Sequence, residues 1–261
     1  MYETINSEVR VQTGWLTLNR IERHNSMNPA MLQELISALK ELDQNEEVIS
    51  LVLTGAGEKA FCAGMDLGGG EAMQLGPIDR HELQRRFIDL LKTIKELKKP
   101  IVARVQGLAL GGGFGLMSAC DLVVASEDSR CGTPEINLGL FPYIIMATLI
   151  RNTGSNKHLL EMMLTGEKIS AEEACKLGFI NRVVKREKLN DAVEEISNTL
   201  NSKSPAILRL GRRAFYTMRD LSYEQAMEYL SAMLALNLQA EDMIEGVTAF
   251  MEKREPHWRG K

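Results

Sequence analysis

The chain has 261 residues, enough to bury a full-sized core as one large domain or as a domain with an appendage. Its formal charge of −4 and 5% aromatic content are unlike a nucleic-acid binder, whose footprint is a strong basic excess. The amino-terminal Met-Tyr-Glu-Thr has no basic region leading into an apolar core, and no apolar run approaches membrane-spanning length, so neither a secretion signal nor a membrane partner is expected.

Residues 2–19 alternate in the manner of paired strands, with Val9, Val11, Trp15, Leu16 and Leu18 as the apolar members. The pattern breaks at Arg20-Ile21-Glu22-Arg23-His24-Asn25. Asn28 before Pro29 is a helix start, and the spacing of Met31, Leu32, Leu35, Leu39 and Leu42 predicts a helix to about Asp43. Val48 to Thr54 reads as a buried strand that Gly55-Ala56-Gly57 ends. A loop then carries Ala63-Gly64-Met65-Asp66-Leu67 and three further glycines. Residues 79–97 read as an amphipathic helix that stops before Pro100.

Ile101 to Val105 is a strand-like run, and Gly107-Leu108-Ala109-Leu110-Gly111-Gly112-Gly113 follows it into a helix. Three adjacent glycines at a helix start leave backbone N–H groups with no intrahelical acceptor and no side chain before them, a place suited to negative charge. The competing reading is a close-packing turn. No lysine followed by serine or threonine comes after the glycines, and G-x-G-x-x-G spacing is absent, so both nucleotide-loop readings fail.

Downstream, Leu122 to Ala125 reads as a strand, and Gly132-Thr133-Pro134-Glu135 leads to Leu138-Gly139-Leu140-Phe141-Pro142. Helices are expected at 143–152, 156–164 and 170–177, with a short strand from Ile180 to Val184. From about residue 186 the pattern is almost wholly helical, at 187–201, 205–218, 222–239 and 241–252. That end is rich in apolar residues such as Met227, Leu230, Met233 and Leu234, which points to packing on another subunit. The four cysteines form no C-x-x-C pair, and free thiols in a reducing cytoplasm are expected rather than disulfides or a metal site.

Taken in order, Leu16-Thr17-Leu18-Asn19-Arg20 with Asn25-Ser26-Met27, Ala63-Gly64-Met65-Asp66, Gly111-Gly112-Gly113, Thr133-Pro134-Glu135 with Gly139-Leu140, and Phe250-Met251-Glu252-Lys253-Arg254-Glu255-Pro256 resemble the crotonase, or enoyl-CoA hydratase/isomerase, family. The resemblance covers nearly the whole chain. It implies an α/β fold, a spiral of ββα units over residues 1–200 carrying the CoA-binding and catalytic site, with a helical oligomerisation region at 201–261. It also implies a homotrimer, often paired into a hexamer, an acyl-CoA substrate, and no cofactor beyond the coenzyme A of that substrate.

By the same resemblance, the backbone N–H groups of Met65 and Gly112 hold the thioester oxygen as enolate charge builds on it, and Glu135 moves the proton. Ala63, Asp66, Leu67 and Gly111 belong to the substrate-binding segments. Arg23 and His24 face the CoA phosphates or adenine, and Phe250 and Lys253 reach a neighbour's CoA. Asp66 and Asp121 read as structural. Two-glutamate members carry a second carboxylate at the position of Gly115, which leaves Glu135 alone here. Members that hydrate branched enoyl-CoAs, methylglutaconyl-CoA hydratase-like proteins, look similar in this stretch. The expected activity is hydration of a 2,3 double bond, with Δ3–Δ2 isomerisation and non-catalytic acyl-CoA binding as rivals. Tyr143-Ile144-Ile145-Met146 places bulk after Pro142, which should narrow or reshape the acyl pocket, and Tyr143 is either a donor to substrate or a packed helix residue.

Overall fold

The computed structural model describes residues 2–66 and 76–261. Two antiparallel strands open the chain, β1 (Ile5–Arg10) and β2 (Thr13–Leu18). Helix α1 (Pro29–Gln44) follows, capped by the Asn28 side chain, which accepts from the Met31 N–H at 2.9 Å. All five apolar residues of its predicted face are buried. Strand β3 (Ser50–Gly55) and the short β4 (Ala60–Cys62) lead to α2 (Pro77–Glu96). Then come β5 (Ile101–Val105), β6 (Leu108–Leu110), α3 (Gly112–Ala119), β7 (Leu122–Ser126) and β8 (Arg130–Gly132). A single helical turn at Pro134–Leu138 joins β8 to α4 (Tyr143–Asn152).

The chain thus repeats one unit: a strand in a large sheet, a strand in a small sheet, and a helix. The large sheet runs β1-β2-β3-β5-β7-β10, parallel from β2 onward, with β10 at Arg182–Val184. The small sheet runs β4-β6-β8-β9, with β9 at Lys168–Ser170. The small sheet is the main departure from the expected elements. From sequence, residues 60–62 fall in a loop, 108–110 in the glycine turn, and 130–131 in no assigned element, because strands of three residues are too short to show alternation.

Alternation in the large sheet sorts its side chains. Leu16, Leu18, Leu51, Leu53, Ala103 and Val105 join the main core with α1 and α2. Trp15, Val52, Val102 and Val124 point to the opposite face and are covered by α7 (Leu189–Asn201) through Leu189, Val193 and Ile196. Between these lie α5 (Asn156–Thr165) and α6 (Ala171–Lys176).

The last three helices are α8 (Pro205–Met218), α9 (Tyr223–Asn237) and α10 (Glu241–Glu252). One buried polar cluster ties α8 to the core. Arg212 donates to Asp121 Oδ2 at 2.8 Å and to the Ile94 carbonyl at 2.7 Å, and the Tyr216 hydroxyl donates to Asp121 Oδ1 at 2.6 Å. Asp121 also accepts from the Ile101 N–H at 2.8 Å, a structural role as its sequence position indicated. No helix among the described residues is long and apolar enough to cross a membrane.

Candidate active site

Three segments far apart in sequence meet at the amino-terminal end of α3. The first pair is zipped together by backbone. Met27 N–H donates to the Gly64 carbonyl at 2.8 Å, Asp66 N–H to the Met27 carbonyl at 2.9 Å, and Ala63 N–H to the His24 carbonyl at 3.0 Å. This short parallel bridge of Met27 with Met65 leaves the Met65 N–H with no backbone acceptor among the described residues. Side chains reinforce it. Asn25, fully buried, donates to the Ala56 and Ala60 carbonyls at 2.9 Å each. Arg20 donates to the Ser26 carbonyl at 2.7 Å and pairs with the Asp66 carboxylate at 2.8 Å, both side chains being largely buried.

The second segment is the glycine turn. Gly111 sits at φ +52°, ψ −125°, a conformation that a side chain disfavours. A β-carbon on Gly113 would lie 2.1 Å from the Cys62 carbonyl oxygen, so only glycine lets α3 start this close to β4. A β-carbon on Gly112 would lie 3.5 Å from the Met65 nitrogen, and one on Gly64 would lie 3.4 Å from the Gly112 nitrogen. The two backbone nitrogens are therefore neighbours. Gly112, the first residue of the helix, has no intrahelical acceptor for its N–H, and it makes no backbone hydrogen bond among the described residues. Two free donors at the positive end of a helix form a place for an oxyanion.

The third segment supplies the carboxylate. A β-carbon on Gly111 would lie 2.8 Å from Glu135 Oε1, so the carboxylate rests directly against the turn. Pro134 starts the helical turn that carries Glu135, and the Glu135 carbonyl accepts from Leu140 N–H at 3.0 Å. Glu135 Oε2 is buried with no hydrogen-bond partner among the described residues. Burial pushes the carboxyl above its ordinary value of 4.5, against a smaller opposing contribution from its own backbone N–H. A carboxylate so placed accepts a proton at neutral pH more readily than an exposed one and can return it.

One turn along α3 the surroundings change. A β-carbon on Gly115 would lie 2.2 Å from Ile145 Cγ2 and 2.8 Å from Ile145 Cβ. Ile145 is buried, on α4, and its side chain fills the place where residue 115 would carry one.

Of the residues singled out from sequence, Glu135, Met65, Gly112, Gly111, Ala63 and Asp66 are brought together. Leu67 lies outside the described residues. His24 lines a cleft of about 520 Å³ with Asn25, Ala56 and Lys59, while Arg23 is exposed beside it. Lys59, not singled out from sequence, lines the same cleft, as do Glu22 and Glu58. Tyr143 is 72% exposed, its ring 5.3 Å from that of Phe141, and it lines a different cleft between α2, α4 and α8. Phe250, 85% exposed, and Lys253 lie at the end of α10 on the outer helical layer. The thiols of Cys62 and Cys131 are pushed up to about 12 by complete burial and are inert as nucleophiles.

Comparison with known proteins places this geometry. Residues 11–261 match the family described as Enoyl-CoA hydratase/isomerase. A Dictyostelium discoideum protein named "Probable enoyl-CoA hydratase, mitochondrial" is 33% identical over 259 residues, covering 99% of this chain and 91% of its own. The short-chain-enoyl-CoA hydratase of Clostridium acetobutylicum is 30% identical over 92% of this chain and 91% of its own. The crystal structure of an enoyl-CoA hydratase from Mycobacterium smegmatis superimposes with a TM-score of 0.93 at 36% identity, covering 98% of this chain and 99% of that one.

Proposed function

Because the chain belongs to the enoyl-CoA hydratase/isomerase family, we propose that it adds water across the 2,3 double bond of an enoyl-CoA thioester, with Glu135 as its one acid/base group. The observation that carries this reading is the Glu135 carboxylate, its Oε2 buried and without a hydrogen-bond partner among the described residues, lying against the same glycine turn that presents the Gly112 N–H beside that of Met65.

The thioester oxygen sits between the two N–H donors. A water oxygen bonds to C3 and its proton passes to Glu135, while the π electrons move onto the thioester oxygen as an enolate. The donors favour this state most when the charge is greatest. The enolate then takes the proton back from Glu135 at C2, which restores the carboxylate and leaves a 3-hydroxyacyl-CoA. The raised proton affinity of Glu135 suits both halves of this cycle.

The cleft at His24 and Lys59, with Arg23 at its side, takes the nucleotide end of coenzyme A. The coenzyme is part of the substrate, and no separate cofactor is needed. Residues 1–200 carry the chemistry and residues 201–261 the assembly contacts, so Phe250 and Lys253 complete the site of a neighbouring copy in a trimer or a pair of trimers. The cytoplasm, where the four free cysteines stay reduced, is the matching compartment.

A second reading, Δ3–Δ2 isomerisation, is favoured by one observation: Ile145 fills the seat of any second acid/base group at residue 115, and a lone carboxylate suffices to carry a proton between two carbons. Incubation with crotonyl-CoA and, separately, with a 3-enoyl-CoA distinguishes the two. Hydration predicts 3-hydroxybutyryl-CoA from the first. Conversion of the 3-enoyl substrate to its 2-enoyl isomer, with no hydration of crotonyl-CoA, overturns the hydratase reading. Binding of both with turnover of neither supports a non-catalytic acyl-CoA-binding protein.

A further inference from the structure

We infer that Gln106 is a positioning residue for the nucleotide end of the substrate, holding one wall of the cleft at His24 and Lys59 in shape without lining that cleft itself. The inference rests on the reading that the cleft takes the nucleotide end of coenzyme A. Ala56, Glu58, Lys59 and Ala60 line the cleft, so the link from the end of β3 to the start of β4 forms one of its walls. Residues 56–59 belong to neither strand, and hydrogen bonds to the carbonyls of this link fix its course. Each of the six carbonyls from Gly55 to Ala60 accepts one. The Lys59 carbonyl takes it from the Leu108 N–H at 3.0 Å. The other five take theirs from side chains: Ala56 and Ala60 from Asn25, Gly55 and Gly57 from Gln106, and Glu58 from Arg186.

Gln106, between β5 and β6, is 2% exposed, and its amide is used at both ends. Arg104 Nη1, which can only donate, meets Gln106 Oε1 at 2.9 Å, and Arg104 Nε is itself tied to Asn190 Oδ1 on α7 at 2.7 Å. The amide is thereby turned so that Nε2 faces the link, where it donates to the Gly55 carbonyl at 2.5 Å and the Gly57 carbonyl at 3.1 Å. One nitrogen thus bridges two carbonyls two residues apart and sets the direction in which the chain enters the cleft wall. Arg186 clamps the same wall from the surface. It opens the helical turn Arg186–Lys188, pairs with Asp128, and donates from Nη1 to the Glu58 carbonyl at 3.0 Å. Glu58 lines the cleft, whereas neither Gln106 nor Arg186 is among its lining residues. Both side chains therefore act on the nucleotide end only through the backbone that they hold, and they govern how tightly it binds rather than the proton transfer at Glu135.

The test compares calorimetric binding of butyryl-CoA with that of the butyryl thioester of N-acetylcysteamine, which lacks the nucleotide; neither measurement depends on turnover. Gln106→Glu keeps the side-chain shape and the bond from Arg104 but has no N–H to offer the Gly55 and Gly57 carbonyls. It should weaken butyryl-CoA binding by about tenfold and leave the truncated thioester little changed. Arg186→Ala should act in the same direction by a smaller factor, and because Arg186 is partly exposed it keeps the inference testable if the glutamate variant does not fold. Arg186→Lys, which retains a donor, should recover part of that loss. An equal loss for both ligands shows general damage, and no loss for either shows a wall that needs no support; each overturns the inference. A native protein that binds butyryl-CoA no more tightly than the truncated thioester instead removes the nucleotide reading of the cleft, and the positioning role falls with it.

Discussion

The Glu135 carboxylate lies so close to Gly111 that a β-carbon on the glycine would come within 2.8 Å of Oε1. The carboxylate that we propose moves the proton and the turn that we propose carries an oxyanion donor therefore lie against each other, with no side chain on Gly111 between them.

Glu135→Gln keeps the side-chain volume and removes the proton acceptor. Turnover should fall by about 10²–10⁴-fold, the usual contribution of a positioned acid/base group, with acyl-CoA affinity little changed. In the native protein the acidic limb of the pH–rate profile should lie above 4.5, in keeping with the raised carboxyl. Stability carries the same signature with a definite sign. Because folding raises this pKa, the folded state holds the proton more tightly, and stability is lost as pH rises from 4.5 through the folded value. Glu135→Gln should therefore gain in melting temperature relative to the native protein as pH rises through that window. Melting curves from pH 4 to pH 8 check this, and a difference that does not vary with pH would contradict it.

Gly115→Glu by itself should not create a two-carboxylate site. The new side chain would have to displace Ile145, and overpacking of this kind costs about 1–3 kcal/mol. Paired with Ile145→Ala, the same glutamate gains room. Denaturant titration should show a stability loss in the single variant that the double variant partly recovers, a non-additivity expected of residues in direct contact.

Asp66→Asn should loosen the segment that presents the Met65 N–H. It leaves the largely buried Arg20 guanidinium without its carboxylate, at a cost of about 1–3 kcal/mol. Turnover should fall more than acyl-CoA affinity, because the donor geometry matters most when charge has developed. An equal fall in both would show that Asp66 serves binding alone.

Assembly is testable without substrate. Met227, Leu234, Leu236, Leu238, Phe250 and Met251 are all more than half exposed, and on our proposal a neighbouring copy covers them. Sedimentation in dilute buffer should show a trimer or larger. A monomer at micromolar concentration would remove the basis for a shared CoA site.

Much of this was legible from residues. Helix α1 announced itself through Asn28-Pro29 and the spacing of Met31 to Leu42. Strands β3 and β5 did so through continuous apolar runs, and the glycine turn through the absence of every nucleotide-loop requirement. What stayed hidden was non-local. The small sheet is built from three-residue strands whose partners lie tens of residues away, so no local pattern marks Ala60–Cys62 or Leu108–Leu110 as strand. Bulk after Pro142 was visible. That Ile145 in particular fills the space beside Gly115 was not, because thirty positions separate two residues that only the packing of α3 on α4 brings together. The ion pair of Arg20 with Asp66 was hidden for the same reason.

The bridge between Met27 and Met65 has a consequence for how such a site changes over generations. What we propose residue 65 offers to the thioester is its main-chain N–H, held in place by hydrogen bonds to its neighbours' backbone rather than by its thioether. Nearly any replacement at 65 short of proline keeps that donor. On that proposal rate and packing are inherited separately: a replacement at 65 changes how the residue packs against the core, while the donor, which belongs to the backbone, passes from one variant to the next.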